Sequence, residues 1–287
     1  MSYELWSLKY GDKKGGDFVR KKRSGFCFFA VMKIMSYNVN GIRSAIAKGF
    51  YEWLSAEAPF VVGLQETKAS ADQVELAPLE ALGYRHYWCN AEKKGYSGVA
   101  LFCRAEPDQV VCGMGDPEFD AEGRVIRADF GALTVVCAYF PSGTTGDVRQ
   151  TVKYRFLDAF FGYAQRLRQS RPHLVVLGDY NIAHREIDIH DPKGNKNNTG
   201  FLPEERAWMD KWFAAGFSDS FRCVHPELRK YSWWTFRANA RANNKGWRID
   251  YISVSDELAA RVRSAELLND SVHSDHCPCA LELDFPL

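Results

Sequence analysis

Asp179 and Asn181 stand two residues apart at the end of Val175-Val176-Leu177-Gly178-Asp179-Tyr180-Asn181, directly behind an apolar run. An acid that takes a proton and an amide that hydrogen-bonds an oxyanion suit the activation of water beside a phosphoryl group. Gly178 is expected to let the backbone turn and leave both side chains pointing the same way. Four further segments place acids, amides or a histidine at the end of an apolar stretch. In Ser36-Tyr37-Asn38-Val39-Asn40-Gly41, strand alternation puts Asn38 and Asn40 on one side, unless the segment is a plain Asn-Gly turn. Glu66 follows Val61–Gln65. A carboxylate there is a natural ligand for a hard cation, since Mg²⁺ takes one or two protein carboxylates and keeps several waters. It could equally end a strand or cap a helix. Asp250 lies inside the apolar pattern Ile249-Asp250-Tyr251-Ile252, and a buried acid needs a partner. A histidine, whose tautomer the acid would set, and an arginine both qualify. Ser274-Asp275-His276-Cys277-Pro278 offers His276 for that role and Asp275 as a metal or histidine contact. Tyr139 ends Thr134–Ala138, where it is either a donor to a phosphate oxygen or a rim aromatic.

The elements that must carry these residues alternate without a clear linker. Strand-like runs cover Ile34–Val39, Phe60–Gln65, Gly98–Phe102, Val125–Phe130, Leu133–Tyr139, Leu174–Leu177, Ile249–Val254 and Ala280–Leu283. Helical patterns cover Ala71–Leu82, Gln150–Arg168 and Pro203–Ala215, the last with Pro203, Glu204 and Glu205 in its first turn. These are too many strands for one doubly wound sheet; two packed sheets with helices outside fit better. The reading is one catalytic domain over residues 32–287, preceded by a flexible extension over residues 1–31 that carries Lys13-Lys14 and Lys21-Lys22-Arg23. That extension is either a tail or an upstream start, and its short apolar Phe26–Val31 makes a poor signal peptide.

Composition narrows the function. The 287 residues are 46% hydrophobic and 25% charged, ordinary for a soluble protein, and no apolar run is long enough to span a membrane. A net charge of +1 confines any nucleic-acid surface to a local stripe. Eight cysteines without a CxxC pair, several inside apolar runs, point to a reducing compartment. His273, His276, Cys277 and Cys279 match no usual zinc spacing, and Pro278 opens a strand. Arg149, Lys153, Lys193, Lys196, Arg237, Arg241 and Lys245 fall between the motifs, where they either meet phosphates or are solvated surface charges. Core packing accounts for most of the aromatic run Tyr231–Phe236.

Taken in order, Tyr37–Arg43, Leu64–Lys68, Gly178–His184, Trp247–Tyr251 and Ser274–Pro278 resemble the exonuclease III-like apurinic/apyrimidinic (AP) endonucleases of the endonuclease/exonuclease/phosphatase superfamily. Asp191–Lys196 and Phe201–Arg206 look like the same branch. The resemblance runs from about Lys33 to the C-terminus and implies a four-layer αββα sandwich of two packed mixed β-sheets flanked by helices. It implies Mg²⁺ (or Mn²⁺) on Glu66, with Asn38, Asn40, Asp179, Asn181, Asp275 and His276 close by. Asp179 would activate water, Asn181 and Tyr139 would hold phosphoryl oxygens, and His276 would be oriented by Asp250. Arg43, Lys68, Ser142 and the basic residues above would contact DNA, and Trp233, Trp247 and Ile249 would line a pocket for a flipped abasic sugar. The implied partner is double-stranded DNA with abasic sites or blocked 3′ ends, met by a monomer at the cytoplasmic nucleoid. Asn40 replaces an aspartate of eukaryotic members, Ser142 an asparagine, and Arg237 a methionine that can wedge into DNA. These departures bear on the balance between incision and 3′→5′ trimming. Other branches, such as inositol-phosphate phosphatases or sphingomyelinases, should lack Asp191–Lys196 and Tyr231–Lys245. A catalytically dead DNA-binding relative should have lost at least one of the reactive groups, all of which are present.

Overall fold

A computed structural model of the chain describes residues 31–286. Of the extension expected over residues 1–31, all but Val31 lies outside the described residues. Val31 itself already pairs with Asp284 in a sheet.

The apolar runs become strands because both of their faces are covered. In chain order these are β1 (Val31–Asn38), β2 (Val61–Gln65), β3 (Arg85–Cys89), β4 (Val99–Cys103), β5 (Gln109–Cys112), β6 (Val125–Phe130), β7 (Leu133–Tyr139), β8 (His173–Asp179), β9 (Phe217–Asp219), β10 (Asp250–Ser255), β11 (Val262–Leu267) and β12 (Cys279–Asp284). They form two six-stranded sheets, ordered β11-β12-β1-β2-β4-β3 and β5-β6-β7-β8-β10-β9. Each sheet is mixed, with one parallel pair at its centre: β1 with β2, and β7 with β8. Successive residues alternate between two cores, as the pleat requires. Ile34, Val175 and Leu177 face the space between the sheets, while Met35, Leu174 and Val176 face outward under helices. Runs buried on both faces therefore read as continuous apolar stretches rather than alternating ones. A side chain at Gly63 would meet the Leu177 Cδ1 at 2.2 Å, so the sheets touch there.

Helices close both outer faces and complete the four layers. Helix α1 (Ile42–Ile46) and α2 (Phe50–Glu57) cover the first sheet with Ile42, Phe50 and Leu54. Over the second lie α5 (Asp147–Ser170) and α6 (Pro203–Ala214), which follow α3 (Ala77–Ala81) and α4 (Pro117–Asp120) in the chain. Phe156, Phe160, Ala164 and Leu167 make the buried stripe of α5, at helical spacing. Helix α6 starts as its sequence suggests, with Pro203 in the first turn and the Glu205 carboxylate accepting from the Leu202 N–H at 3.0 Å.

Two expectations change. The helix read over Ala71–Leu82 is a 3₁₀ turn at Ala71–Gln73 followed by the separate α3. Pro78 lacks an N–H and so begins a new helix instead of sitting inside one. The sequence reading also omits β3, β5, β9 and β11, which are the four outermost strands of the two sheets. Among the described residues no helix is long and apolar enough to cross a membrane.

Candidate active site

The strand registers bring the reactive residues to one end of the sandwich. Asn38 and Gln65 are partners at the ends of β1 and β2, and Asp179 is flanked by Tyr139 on β7 and Asp250 on β10. Asn38 joins the two sheets. Its fully buried amide donates to Glu66 Oε1 and to Asp179 Oδ2, each at 2.9 Å. Its Oδ1 accepts the Asn40 N–H at 3.0 Å. Asn38 thus bridges the two acids through its amide hydrogens, while its oxygen, which accepts one hydrogen bond, keeps a second lone pair.

Asn40 reaches the site through a turn, not through the pleat. It adopts φ 45°, donates to Asp275 Oδ1 at 2.9 Å and accepts from Lys68. Glu66 is also left-handed, at φ 52°. A non-glycine residue in that region stores strain, a common feature of functional sites. Burial works against the Glu66 charge, but the Lys68 ammonium at 2.8 Å and the Asn38 amide hold its carboxyl below the usual range.

Asp179 closes β8. Gly178 permits this by letting β7 approach, since any side chain there would lie 1.8 Å from the Ala138 carbonyl oxygen. The turn expected at Gly178 comes later, at Asn181 (φ 53°). Asp179 accepts the Asn181 N–H at 2.8 Å and the Asn181 Nδ2 at 3.1 Å. Asn181 also donates to the Phe140 carbonyl at 2.9 Å, so both of its amide hydrogens are used. In this arrangement it orients Asp179 and offers no donor to a phosphoryl oxygen. Burial, then the charges of Asp250 and Glu66, raise the Asp179 carboxyl well above its usual range, with His276 only partly offsetting them.

Of the two partners open to Asp250, the structure selects the histidine. His276 Nδ1 lies 2.9 Å from Asp250 Oδ2, and Nε2 points towards Asp179 Oδ2 at 4.0 Å. Burial alone would lower the imidazole, but Asp250, Asp179 and Asp275 override it and raise it to about 10. The neighbouring Arg248 pairs instead with Asp188 and Asp219. Both oxygens of Asp275 accept hydrogen bonds, from Asn40 and Ser274 at Oδ1 and from the Trp233 indole at Oδ2.

Ligand atoms of Glu66, Asp179 and His276 all lie within 4.8 Å of one another. Two carboxylates backed by further acids form a hard, anionic donor set, which fits a divalent cation such as Mg²⁺ far better than a thiophilic one. A cleft of about 750 Å³ opens above these groups. Tyr139, Trp233, Trp247, Ile249, Ser142–Thr144 and Asn197–Gly200 are among the residues that line it. The Tyr139 hydroxyl is pushed well above the usual tyrosine range, by burial and then by the Glu66 charge, so it stays protonated as a donor.

Residues 35–276 match the family described as "Endonuclease/Exonuclease/phosphatase family". The chain belongs to that family. It is 44% identical over 252 residues to an exodeoxyribonuclease of Bacillus subtilis, covering 87% of this chain and 98% of that protein. It is 42% identical over 260 residues to the DNA repair nuclease APEX1 of Danio rerio, covering 88% and 83%. Among solved structures, a 3′-5′ exonuclease from Neisseria meningitidis superposes with a TM-score of 0.83 at 30% identity, covering 88% of this chain and all of that one. An AP endonuclease from Archaeoglobus fulgidus gives 0.82 at 30%, with the same coverage.

Within this family member, the basic residues read as DNA contacts divide. Arg43, Lys193, Lys196, Arg237 and Lys245 are exposed. Lys153 is not: it is 0% exposed, pairs with Glu205 and donates to the Asn181 carbonyl at 2.8 Å. It therefore braces the acid-amide turn from below. Arg241 spends its guanidinium on the carbonyls of Asn269, Ser271 and Ser274, holding the loop that presents Asp275 and His276. Arg149 is bound by Glu122 at 3.0 Å and by the Tyr96 hydroxyl. Lys68 sits on Glu66 and Asn40, inside the site instead of outside it.

The sequence reading missed three contributors. Ser232 donates to Asp250 Oδ2 at 2.7 Å while accepting the Asp250 N–H. Arg124 lies 4.7 Å from the centre of the Tyr139 ring and donates to its carbonyl. Asn197–Thr199 supply a polar wall. The amide-rich text of residues 195–199 was a signal for the last; nothing local marks Ser232 or Arg124.

Proposed function

We propose that this chain is a DNA-repair phosphodiesterase that hydrolyses the backbone 5′ of abasic sites in duplex DNA and also trims blocked 3′ ends, with Mg²⁺ as cofactor and Mn²⁺ as a substitute. The observation that carries the reading is the convergence of Glu66, Asp179 and the Asp250-oriented His276 at the floor of one cleft. The names and structures of its relatives, nucleases of DNA repair among them, support the choice of DNA.

Hydrolysis needs a base for water, donors for the phosphoryl oxygens and charge to offset the transition state. Asp179 accepts the proton of the attacking water, a role that its raised proton affinity and three fixed hydrogen bonds suit. His276 is charged and pinned by Asp250, which leaves Nε2–H to donate to a non-bridging oxygen. Tyr139, which also lines the cleft, offers a second donor. Held chiefly by Glu66, Mg²⁺ would supply positive charge against that developing on the phosphorus oxygens. Water's oxygen bonds to phosphorus, the P–O3′ bond breaks, the leaving O3′ takes a proton from solvent, and a 3′-hydroxyl and a 5′-phosphate remain. Trp233, with its ring centre 6.1 Å from that of Trp247, forms with Ile249 an apolar wall against which a sugar lacking its base can rest. A monomer working on cytoplasmic nucleoid DNA accords with this reading.

The test is a duplex with one abasic analogue, incubated with Mg²⁺ and separately with EDTA, beside an undamaged duplex. A single nick on the 5′ side of the lesion, only with metal, is the expected product. No metal-dependent nick would refute the proposal. Degradation from a recessed 3′ end that outpaces incision would make the enzyme mainly an exonuclease.

A further inference from the structure

Two cysteines that the cleft does not use meet at one edge of the sandwich. Strand β3 is the last of the first sheet and β5 the first of the second, and these two edge strands touch. Cys89 closes β3 and is buried; Cys112 closes β5 and is exposed. The Cys112 thiol turns towards β3 and donates to the carbonyl of Trp88, the residue next to Cys89, at 3.4 Å. Interaction with Cys112 pushes the Cys89 thiol up strongly, with burial adding to it. The same contact pulls Cys112 down, against its partial burial and the charge of Asp120. An accessible cysteine beside a buried one, on two touching edge strands, is the arrangement of an attacking and a resolving thiol. Among the described residues the other free cysteines differ. Cys223 is exposed, but burial and the charges of Asp219 and Asp256 push it up. Cys103, Cys137, Cys277 and Cys279 are sealed in the core and raised by burial.

We propose that Cys89 and Cys112 form a redox-active dithiol that reacts with low-molecular-weight disulfides of the glutathione class and locks the edges of the two sheets together. The Cys112 thiolate attacks one sulfur of the small disulfide, forming a mixed disulfide and releasing one small thiolate. Cys89 then attacks the Cys112 sulfur as its proton passes to solvent, and the second small thiolate departs. Two protein thiols are oxidised to one intersheet disulfide, and the small disulfide is reduced to two thiols. The closed loop contains β4 and Tyr96, whose hydroxyl accepts from Arg124 at 3.1 Å and Arg149 at 2.6 Å.

The test uses the full chain, fully reduced, then exposed under native conditions to oxidised glutathione and mapped by peptide mass spectrometry. A linked Cys89–Cys112 peptide is expected. The Cys89→Ser variant should stall with glutathione on Cys112, and Cys112→Ser should leave Cys89 free. Oxidation should raise the thermal midpoint of the wild type by several degrees and leave both variants unchanged. The proposal is overturned if both thiols stay free while Cys223 is modified, if Cys112→Ser is modified at Cys89 at the wild-type rate, or if the midpoint does not rise. Cys112→Ser changes an exposed side chain, so its result stands even if Cys89→Ser folds poorly.

Discussion

Two buried charge clusters share the segment Arg248–Asp250 and behave in opposite ways. Around Arg248, two acids meet two arginines. Asp188 binds Arg248 at 2.8 Å and also binds Arg222, and Asp219 takes the other side of Arg248 at 2.8 Å. Burial would raise Asp188, yet the two guanidiniums hold it well below the usual carboxylate range. Two residues further on, Glu66, Asp179, Asp250 and Asp275 meet His276 and Lys68 as cations, while Lys153, itself paired with Glu205, acts on Asp179 from further away. There Asp179 is pushed up and His276 is raised to about 10. The first cluster is charge-matched and serves the fold. The second keeps unmatched negative charge in a cleft, which costs stability and leaves a site that a cation and a phosphate can complete.

The largest test of this contrast is catalytic. Asp179→Asn and His276→Ala should each lower the nicking rate by roughly 10²–10⁴-fold, the usual weight of a positioned acid or base, while a gel-shift assay still shows duplex binding. Wild-type turnover in either would remove that residue from its role. Stability should then split the clusters. Asp188→Asn breaks a matched buried pair and should cost about 3–5 kcal/mol in urea unfolding. Asp179→Asn breaks no matched ion pair, because burial already disfavours the charged form of this acid, and should cost far less than Asp188→Asn in the same measurement. Equal losses in both variants would erase the distinction.

Smaller effects sharpen it. The His276 pKa in the fold lies above the ordinary 6.5, so its pairing with Asp250 contributes stability that is complete below pH 6.5 and is lost as pH rises through about 10. The stability gap between wild type and His276→Ala should therefore narrow across that window in pH-dependent melts; a constant gap would mean His276 is not charged in the fold. Least of all, Lys193→Ala and Lys196→Ala should each reduce the salt dependence of DNA binding by about one unit of slope, leaving kcat unchanged. A changed kcat would place them in the chemistry.

The edge strands show where sequence reading stops. Central runs such as Val125–Phe130 and Leu133–Tyr139 coincide with β6 and β7, because burial on both faces keeps them mostly apolar despite Arg127, Asp129 and Thr134. Strand β3 holds Arg85, His86 and Tyr87, partly exposed or fully so, and β11 holds Arg263, Ser264 and Glu266. At a sheet edge one side of the strand meets water, and the polar residues that protect it from pairing elsewhere blur the pattern. The candidate site divides along similar lines. Glu66, Asp179, Asp250 and His276 were legible because each is a polar group where an apolar run demands a reason. Lys153 was misread because a lysine at a helix start carries no local sign that Glu205, 52 residues away, will bury it.

The amino-acid sequence by itself determined which groups can do chemistry, that they close apolar strands, and in what order they come, since polarity against an apolar run is a local property. Only the tertiary structure decided what each group does there. The register of β7, β8 and β10 sets Tyr139, Asp179 and Asp250 side by side, and the packing of one sheet on the other lets Asn38 span to Asp179. Those contacts join residues 26 to 141 positions apart, such as His276 with Asp250 and Asn38 with Asp179. At such separations the partner is chosen by how the layers stack and which charges the burial leaves uncompensated.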